Sequence, residues 1–440
     1  MTPDRDELNK RRRYREEQRK KRQAQQRRFY LQLGLAAVVL IVCGVAIFLL
    51  SRSGGKSDPE PIQATQEAEV YNEDFGEEET EAPTEAQSSR TKAPTVIHLA
   101  AAGDLNVTDK VVWSGHNSGV FDYTNAFMDV APVLAEADIS VLNFEGNFYG
   151  APYGTSSASA PQEMAVALKA AGVDLLQVAN SQSITNGING LTSTLANIRA
   201  AGLEPVGAFS SNEEFKRSKG YTICEVDGIT IAFVAFTKGM DGRGLPTGSE
   251  NCVNLLYVDY STTYQTVNKE GSTKILRNVA SEKPDLTVAL LHWGSEYNDT
   301  VSSTQDSIVS LMQKEGVDVI IGSHPHMVHE ISYNETTGQL VAYSLGDFFG
   351  DGTRGGTNYS IILDLEITKD NETGSTMVTD YSYTPIYTLS EDECDGKRRV
   401  IRIDNAIAAY EGNFVDKVTK SAYENMKTAL DRITARVNGE

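Results

Sequence analysis

Cysteine is scarce in this chain, with four in 440 residues, and no two stand as Cys-x-x-Cys. A thiolate zinc site is therefore not expected. Cys43 falls in an apolar run, which leaves Cys224, Cys252 and Cys394. Three thiols cannot all pair within one chain. A Cys224–Cys252 bridge is open to them, but free buried thiols are the expectation. Basic residues are also in the minority, 40 Lys and Arg against 60 Asp and Glu, for a formal net charge of −20. Many of them crowd into Lys10–Arg28, KRRRYREEQRKKRQAQQRR. Directly after that cluster, Phe29–Leu50 carries no charge at all. Such a run is long enough to cross a bilayer core as a helix. The basic cluster then reads as a topology signal near anionic lipid, and no nucleic acid partner is expected. The positive-inside rule puts residues 1–28 in the cytoplasm and everything after Leu50 outside, so the expectation is a single-pass plasma-membrane protein with an extracellular C-terminal domain. A cleaved signal peptide would have a shorter apolar region and a small-residue cleavage site, which SRSGGKSD does not supply.

Large apolar residues are sparse from 51 to 94, where Glu, Ser, Thr, Gln and Pro dominate. Such a stretch cannot bury enough surface to offset its ordering entropy, so it reads as an acidic, disordered linker. From Thr95 the texture changes. An amphipathic helix, a Gly, an acidic residue and an apolar strand recur as LKAAGVDLLQVAN (168–180), IRAAGLEPVGAF (198–209) and MQKEGVDVIIGSH (312–324), with a Gly-less version in AEADISVLNFEG (135–146). The Gly suits a helix C-terminus with positive φ, and the β-branched runs suit buried strands. Alternation of this kind implies an α/β domain, here 95–400. CEVDGITIAFVAF (224–236) predicts a hairpin across Asp227–Gly228, and 327–349 and 357–389 are strand-rich, so antiparallel strands join the sheets. Residues 401–440 read as a helical extension ending in a helix over Lys420–Val437.

Chemistry gathers where the apolar strands stop. TVIHLAAAGD ends at Asp104, ISVLNFEG with Asn143 and Glu145, and LLQVANSQ with Asn180 and Gln182. LTVALLHWGSEY ends at His292 with Glu296 close behind, and VDVIIGSHPH at His324 and His326. Open α/β sheets bind ligands beyond the carboxyl ends of their strands. Carboxylates, amides and imidazoles converging there fit a metal site with mixed oxygen and nitrogen ligands. Taken singly, each has a plain structural reading as a cap or turn residue; taken together, they point to a site. Because His324 precedes a proline it should be extended, and residues two apart in extended chain face the same way. His98, His116 and His329 read as structural.

The ordered set GDLNVTD, VLNFEGNF, VANSQSITNG, HWGSEY, IIGSHPH and YSLGDFF, from about Ile97 to Phe349, resembles the CapA family of poly-γ-glutamate capsule synthesis proteins, itself similar to calcineurin-like metallophosphoesterases. The resemblance implies a four-layer α-β-β-α sandwich. It implies metal roles for Asp104, Glu145, Asn180, His292, His324 and His326, with Gln182 and Glu296 at the reacting position. The cofactor implied is one or two divalent metal ions (manganese, iron, zinc or magnesium). The partners implied are an anionic surface polymer such as poly-γ-glutamate and membrane-bound synthesis or export proteins. Two departures stand out. Where the family has Asn-Asn-His, this chain has Asn180-Ser181-Gln182, and YSLGNF has become YSLGDF at Asp347. Gln hydrogen-bonds but cannot act as a general acid near neutral pH. Three readings follow: an accessory protein that handles the polymer, a metal-dependent hydrolase of phosphodiester or amide bonds, and a purely structural role for the polar strand ends.

Overall fold

The computed structural model describes residues 92–412 and 418–440. The expected tail, membrane span and most of the linker lie outside the described residues, among which no helix is long and apolar enough to cross a membrane. Among the described residues, sixteen strands follow in chain order. They are β1 (Thr95–Asn106), β2 (His116–Asn117), β3 (Val120–Phe121), β4 (Ile139–Glu145), β5 (Leu175–Gln177), β6 (Glu204–Val206), β7 (Thr222–Val226) and β8 (Ile229–Thr237). Then come β9 (Leu286–His292), β10 (Val319–Ser323), β11 (Ile331–Asn334), β12 (Gln339–Ala342), β13 (Asp347–Phe349), β14 (Tyr359–Lys369), β15 (Thr376–Leu389) and β16 (Arg399–Arg402). They form an 8-stranded sheet, β16-β15-β14-β1-β4-β5-β6 with β13 beside β1, and a 6-stranded sheet, β11-β12-β10-β9-β8-β7; β2 and β3 make a separate ribbon.

The two sheets stack through alternating side chains. On β8, Ile231, Phe233 and Ala235 share a buried core with Leu99, Ala101 and Leu363 of the first sheet. Their neighbours Ala232, Val234 and Phe236 pack the other way, against Ile275, Leu276, Ile308 and Met312 of helices Lys269–Glu282 and Ser303–Lys314. The period of two along a strand produces this division. The fold is thus mixed α/β, two sheets face to face with helices on the outer face of the second. Helices Glu163–Ala170 and Gly187–Ala200 supply Met164, Leu168, Leu191 and Leu195 to the larger core.

The recurring unit takes its expected form. Gly172, Gly202 and Gly316 have φ of 100°, 78° and 91° after their helices, and Asp227–Gly228 turns between β7 and β8 with both φ positive. The last helix, Lys420–Val437, buries Ala422, Met426, Ala429, Ile433 and Val437 in the same core as the sheets, and so belongs to the same compact unit. Cys224, Cys252 and Cys394 are free thiols.

Candidate metal centre

The strands that carry the polar ends run parallel in each sheet, β1 with β4 and β5, and β8 with β9 and β10. Their carboxyl ends therefore meet at one edge of the sandwich. Register does the rest. Asn143 lies beside Asp104, and Ser323, the residue before His324, lies beside His292. Gly103 is required by a close approach: a Cβ there would sit 1.8 Å from the Gly346 carbonyl oxygen. That carbonyl accepts a bond from the Asp104 N–H, at 2.9 Å, and brings Asp347 into register with Asp104. Gly322 serves the opposite sheet in the same way, since its Cβ would lie 2.0 Å from the Tyr343 carbonyl oxygen.

His324 and His326 do face one site, but not by the expected route. β10 stops at Ser323, and the two residues adopt φ of +91° and +59° rather than extended geometry. A tight turn folds the imidazoles back over the sheet edge. It is held by the His324 N–H donating to Asp104 Oδ2 at 3.0 Å and by the Tyr297 N–H donating to the Pro325 carbonyl at 2.9 Å. Non-glycine residues at positive φ carry strain that the surrounding bonds must hold, and such strain clusters at functional sites. The rings of His324 and His292 are 4.4 Å apart, and those of His324 and His326 6.2 Å.

The ligand-type atoms form interlocking groups: Glu145 with His292 and His324, Asp104 with His326 and Asp347, all buried, and the exposed Glu296 with the buried His324 and His326. His292 Nε2 is 3.2 Å from Glu145 Oε1, while its Nδ1 faces the Thr237 hydroxyl at 3.3 Å. His326 Nδ1 lies 2.7 Å from Asp347 Oδ1 and 3.6 Å from Asp104 Oδ2, and its Nε2 lies 3.9 Å from Glu145 Oε2. Asn143 donates to Asp104 Oδ1 at 2.8 Å.

Electrostatically the centre is divided. Burial pushes Asp104 up to about 8 against the pull of His326, and burial also raises Asp347. Burial alone would raise Glu145 too, but the charge and hydrogen bond of His292, with His326 and His324, hold it well below the usual carboxylate range. Burial holds His324 well below its ordinary value; for His326 the opposite pull of Asp347, Glu145 and Asp104 overcomes burial and raises it. Two buried atoms in the middle of this cluster, Glu145 Oε2 and His324 Nδ1, have no hydrogen-bond partner. Buried polar atoms are rarely left so, and these two offer lone pairs to a cation. Carboxylate oxygens and imidazole nitrogens converging within 4.8 Å of one another fit a divalent cation.

The sequence-expected residues divide by position. Asp104, Glu145, His292, His324 and His326 come together, with exposed Glu296 at the rim. Asn180 is committed to the framework, donating to Asn143 Oδ1 and the Phe144 carbonyl while its Oδ1 accepts from the Gln182 N–H. Ser181 donates to Glu145 Oε1. Gln182 reaches the Ser181 hydroxyl at 3.3 Å and Asp241 Oδ2 at 3.2 Å, and accepts from Thr185 at 2.6 Å. His329 stands apart, its Nε2 on the Asn298 carbonyl; His98 pairs with Asp364, and His116 packs on Trp113 and Phe121. Sequence reasoning flagged Asp347 only as a departure and missed Tyr297, although both lie within quoted motifs. Two cavities share Glu296 in their lining. One, of about 290 Å³, reaches Glu145, Gln182, His326, Asp347 and Arg354; the other, of about 240 Å³, reaches Ser181, Lys238, Asp241 and His324.

Residues 98–351 match the family model described as bacterial capsule synthesis protein PGA_cap. The PGA biosynthesis protein CapA of Bacillus subtilis (strain 168) is 27% identical over 304 residues, covering 67% of this chain and 74% of that protein. The capsule biosynthesis protein CapA of Bacillus anthracis is 28% identical over 255 residues, covering 56% of this chain and 58% of that protein. Among solved structures, the calcineurin-like phosphoesterase YfkN from Bacillus subtilis overlaps 79% of this chain and 99% of its own, with 15% identity and a TM-score of 0.40. A phosphatase from Mycoplasma pneumoniae overlaps 67% and 95%, with 14% identity and a TM-score of 0.41.

Proposed function

The chain belongs to the bacterial capsule synthesis protein family PGA_cap, and on that footing we propose that its folded domain handles poly-γ-glutamate, or a related acidic surface polymer, through a divalent-metal centre. The observation that carries the metal is the pair of orphaned buried atoms, Glu145 Oε2 and His324 Nδ1, inside a cage of carboxylates and imidazoles. Asp104, Glu145, His292, His324 and His326 would hold the ion, with Asp347 against His326. A bound divalent cation supplies Lewis acidity and neutralises charge on an oxygen ligand. The rest falls to the chain itself. Asn143 and Asn180 brace Asp104 and the strand ends; Thr237 orients His292; Ser181 occupies one oxygen of Glu145. The proposal places the domain outside the cell, tethered through Phe29–Leu50, in a four-layer phosphoesterase-like sandwich.

We read the role as polymer handling rather than turnover because Gln182 stands where a proton donor is expected, and its amide is already committed to Ser181, Asp241 and Thr185. The hydrolytic reading is favoured by one feature, the exposed Glu296 carboxylate beside His324 and His326, which lines both cavities. Elemental analysis of the purified full-length chain comes first; the expected result is a divalent metal at stoichiometric level, and its absence would remove the metal reading. Hydrolysis of a γ-linked glutamate polymer is then compared between the chain and Gln182→His. A positioned general acid contributes about 10²–10⁴-fold. A gain of that size in the variant marks a hydrolytic site altered at one position, whereas metal retained with no gain supports handling.

A further inference from the structure

The larger cavity has one feature that the metal reading does not use. Its lining is acidic, with Glu145, Glu296, Asp347 and Asp351, yet Arg354 stands at its edge. The Arg354 guanidinium carbon lies over Tyr297, 4.1 Å from the ring centroid. Tyr297 in turn stacks on His326, centroid to centroid 5.3 Å at 25°. A guanidinium, a phenol and an imidazole thus follow one another along the cavity lining, the last of them in the metal centre. Arg354 is exposed and takes part in no ion pair among the described residues. Lys238 in the neighbouring cavity is different. Its ammonium donates to the Gly294 carbonyl at 2.6 Å and feels the charges of Glu296 and Asp241.

The loop that bears Arg354 is pinned. Arg398, itself buried, donates to the Gly350 and Asp351 carbonyls at 3.2 and 3.0 Å and pairs with Glu391 at 2.7 Å. Thr357 donates to the Arg354 carbonyl at 2.9 Å. A planar fork of donors, resting on a ring and without an acid of its own, is a preorganised carboxylate receptor. A chain of net charge −20 needs such a point if an acidic polymer is to approach its metal centre.

The geometry points to Arg354, seated on Tyr297, as the residue that takes a free carboxylate of the polymer and sets the neighbouring backbone bond over His326. Arg354 lies beyond the stretch, 98–351, that matches the family, so the family match does not assign it this role. The inference rests on the polymer-handling reading and names its recognition element.

The test is calorimetric binding of a γ-linked glutamate oligomer to the full-length chain, with an oligomer of equal length whose carboxylates are amidated as the second probe. Arg354→Ala should weaken binding of the free-acid oligomer about 10- to 100-fold, the range for one charge-assisted contact. Arg354→Lys, which keeps charge but not the fork, should fall between that variant and the unaltered chain. Arg277→Ala, which removes the same charge from the outer helix Lys269–Glu282, should bind as the unaltered chain does. The amidated oligomer should bind weakly to all of them. Equal binding by the unaltered chain and Arg354→Ala overturns this inference and leaves the polymer reading standing. Equal binding of the free and amidated oligomers overturns it as well. No binding by the unaltered chain overturns both.

Discussion

The two walls of the candidate metal centre are built from different chemistry on different sheets. The 8-stranded sheet brings acids and amides: Asp104, Asn143, Glu145, and Asp347 from its side strand. The 6-stranded sheet brings His292 at the end of β9, with His324 and His326 on the turn after β10. Neither wall is a site alone. Carboxylates without a counter-charge resist ionisation on burial, and neutral imidazoles bring donor nitrogens but no charge to offset a cation. The two complement each other because a shared core, in which Ile231, Phe233 and Ala235 on β8 take part, holds the sheets together. The far end is clipped by an ion pair between Lys369 on the first sheet and Asp285 before β9, at 2.8 Å.

The most damaging way to break that complementarity is to loosen the clamp. Phe233→Ala opens the fully buried inter-sheet core and should cost about 3–5 kcal/mol, read by denaturant melting; if bound metal survives this unchanged, the walls do not depend on the packing. Next comes one wall alone. His326→Ala should lower cation affinity by more than about 100-fold, beyond what loss of a supporting partner costs, in a metal titration of the chelator-treated chain. Retained affinity would assign the ion to the acids only. A smaller, two-signed effect is expected for Asp347→Asn. The amide still accepts from His326, yet one buried carboxylate is gone, so the metal-free chain should melt about 1 kcal/mol more stable while cation affinity falls about tenfold. Effects of the same sign would contradict Asp347 as part of the acidic wall.

The smallest effect belongs to the far end. Burial opposes the charge of Asp285, but Lys369 and Thr230 outweigh it and lower its pKa from 3.8. Its contribution is therefore present above the ordinary carboxylate value and fades as pH falls through the depressed one. Asp285→Asn should cost about 1 kcal/mol at neutral pH and converge with the unaltered chain in acid, in melts at a series of pH values.

Much of this was legible in the residues. The helix–Gly–acid–strand unit recovered β5, β6 and β10, the Asp-Gly pair recovered the β7–β8 hairpin, and periodicity placed the Lys420–Val437 helix. Local pattern reports these because local sterics and burial periodicity produce them. Strand-end chemistry pointed to Asp104, Glu145, His292, His324 and His326, which the fold brings together, but not to Asp347. The turn at His324 and His326 was misread, because the preference of a residue before proline is local and was overridden by bonds from Asp104 and Tyr297, far away in the chain. Arg354 carried no sequence signal at all; only the stack on Tyr297 distinguishes it from any other exposed arginine.

The chain by itself determined which groups stand at strand ends, since alternation and turn residues are written in neighbouring positions. It also determined that an amide, Gln182, which cannot act as a general acid near neutral pH, follows Asn180 and Ser181 at one strand end. Tertiary structure decided which ends meet. Side chains from Asp104 to Asp347 become neighbours through the close approach at Gly103 and the stacking of two sheets, and no local propensity encodes contacts between residues so far apart in sequence.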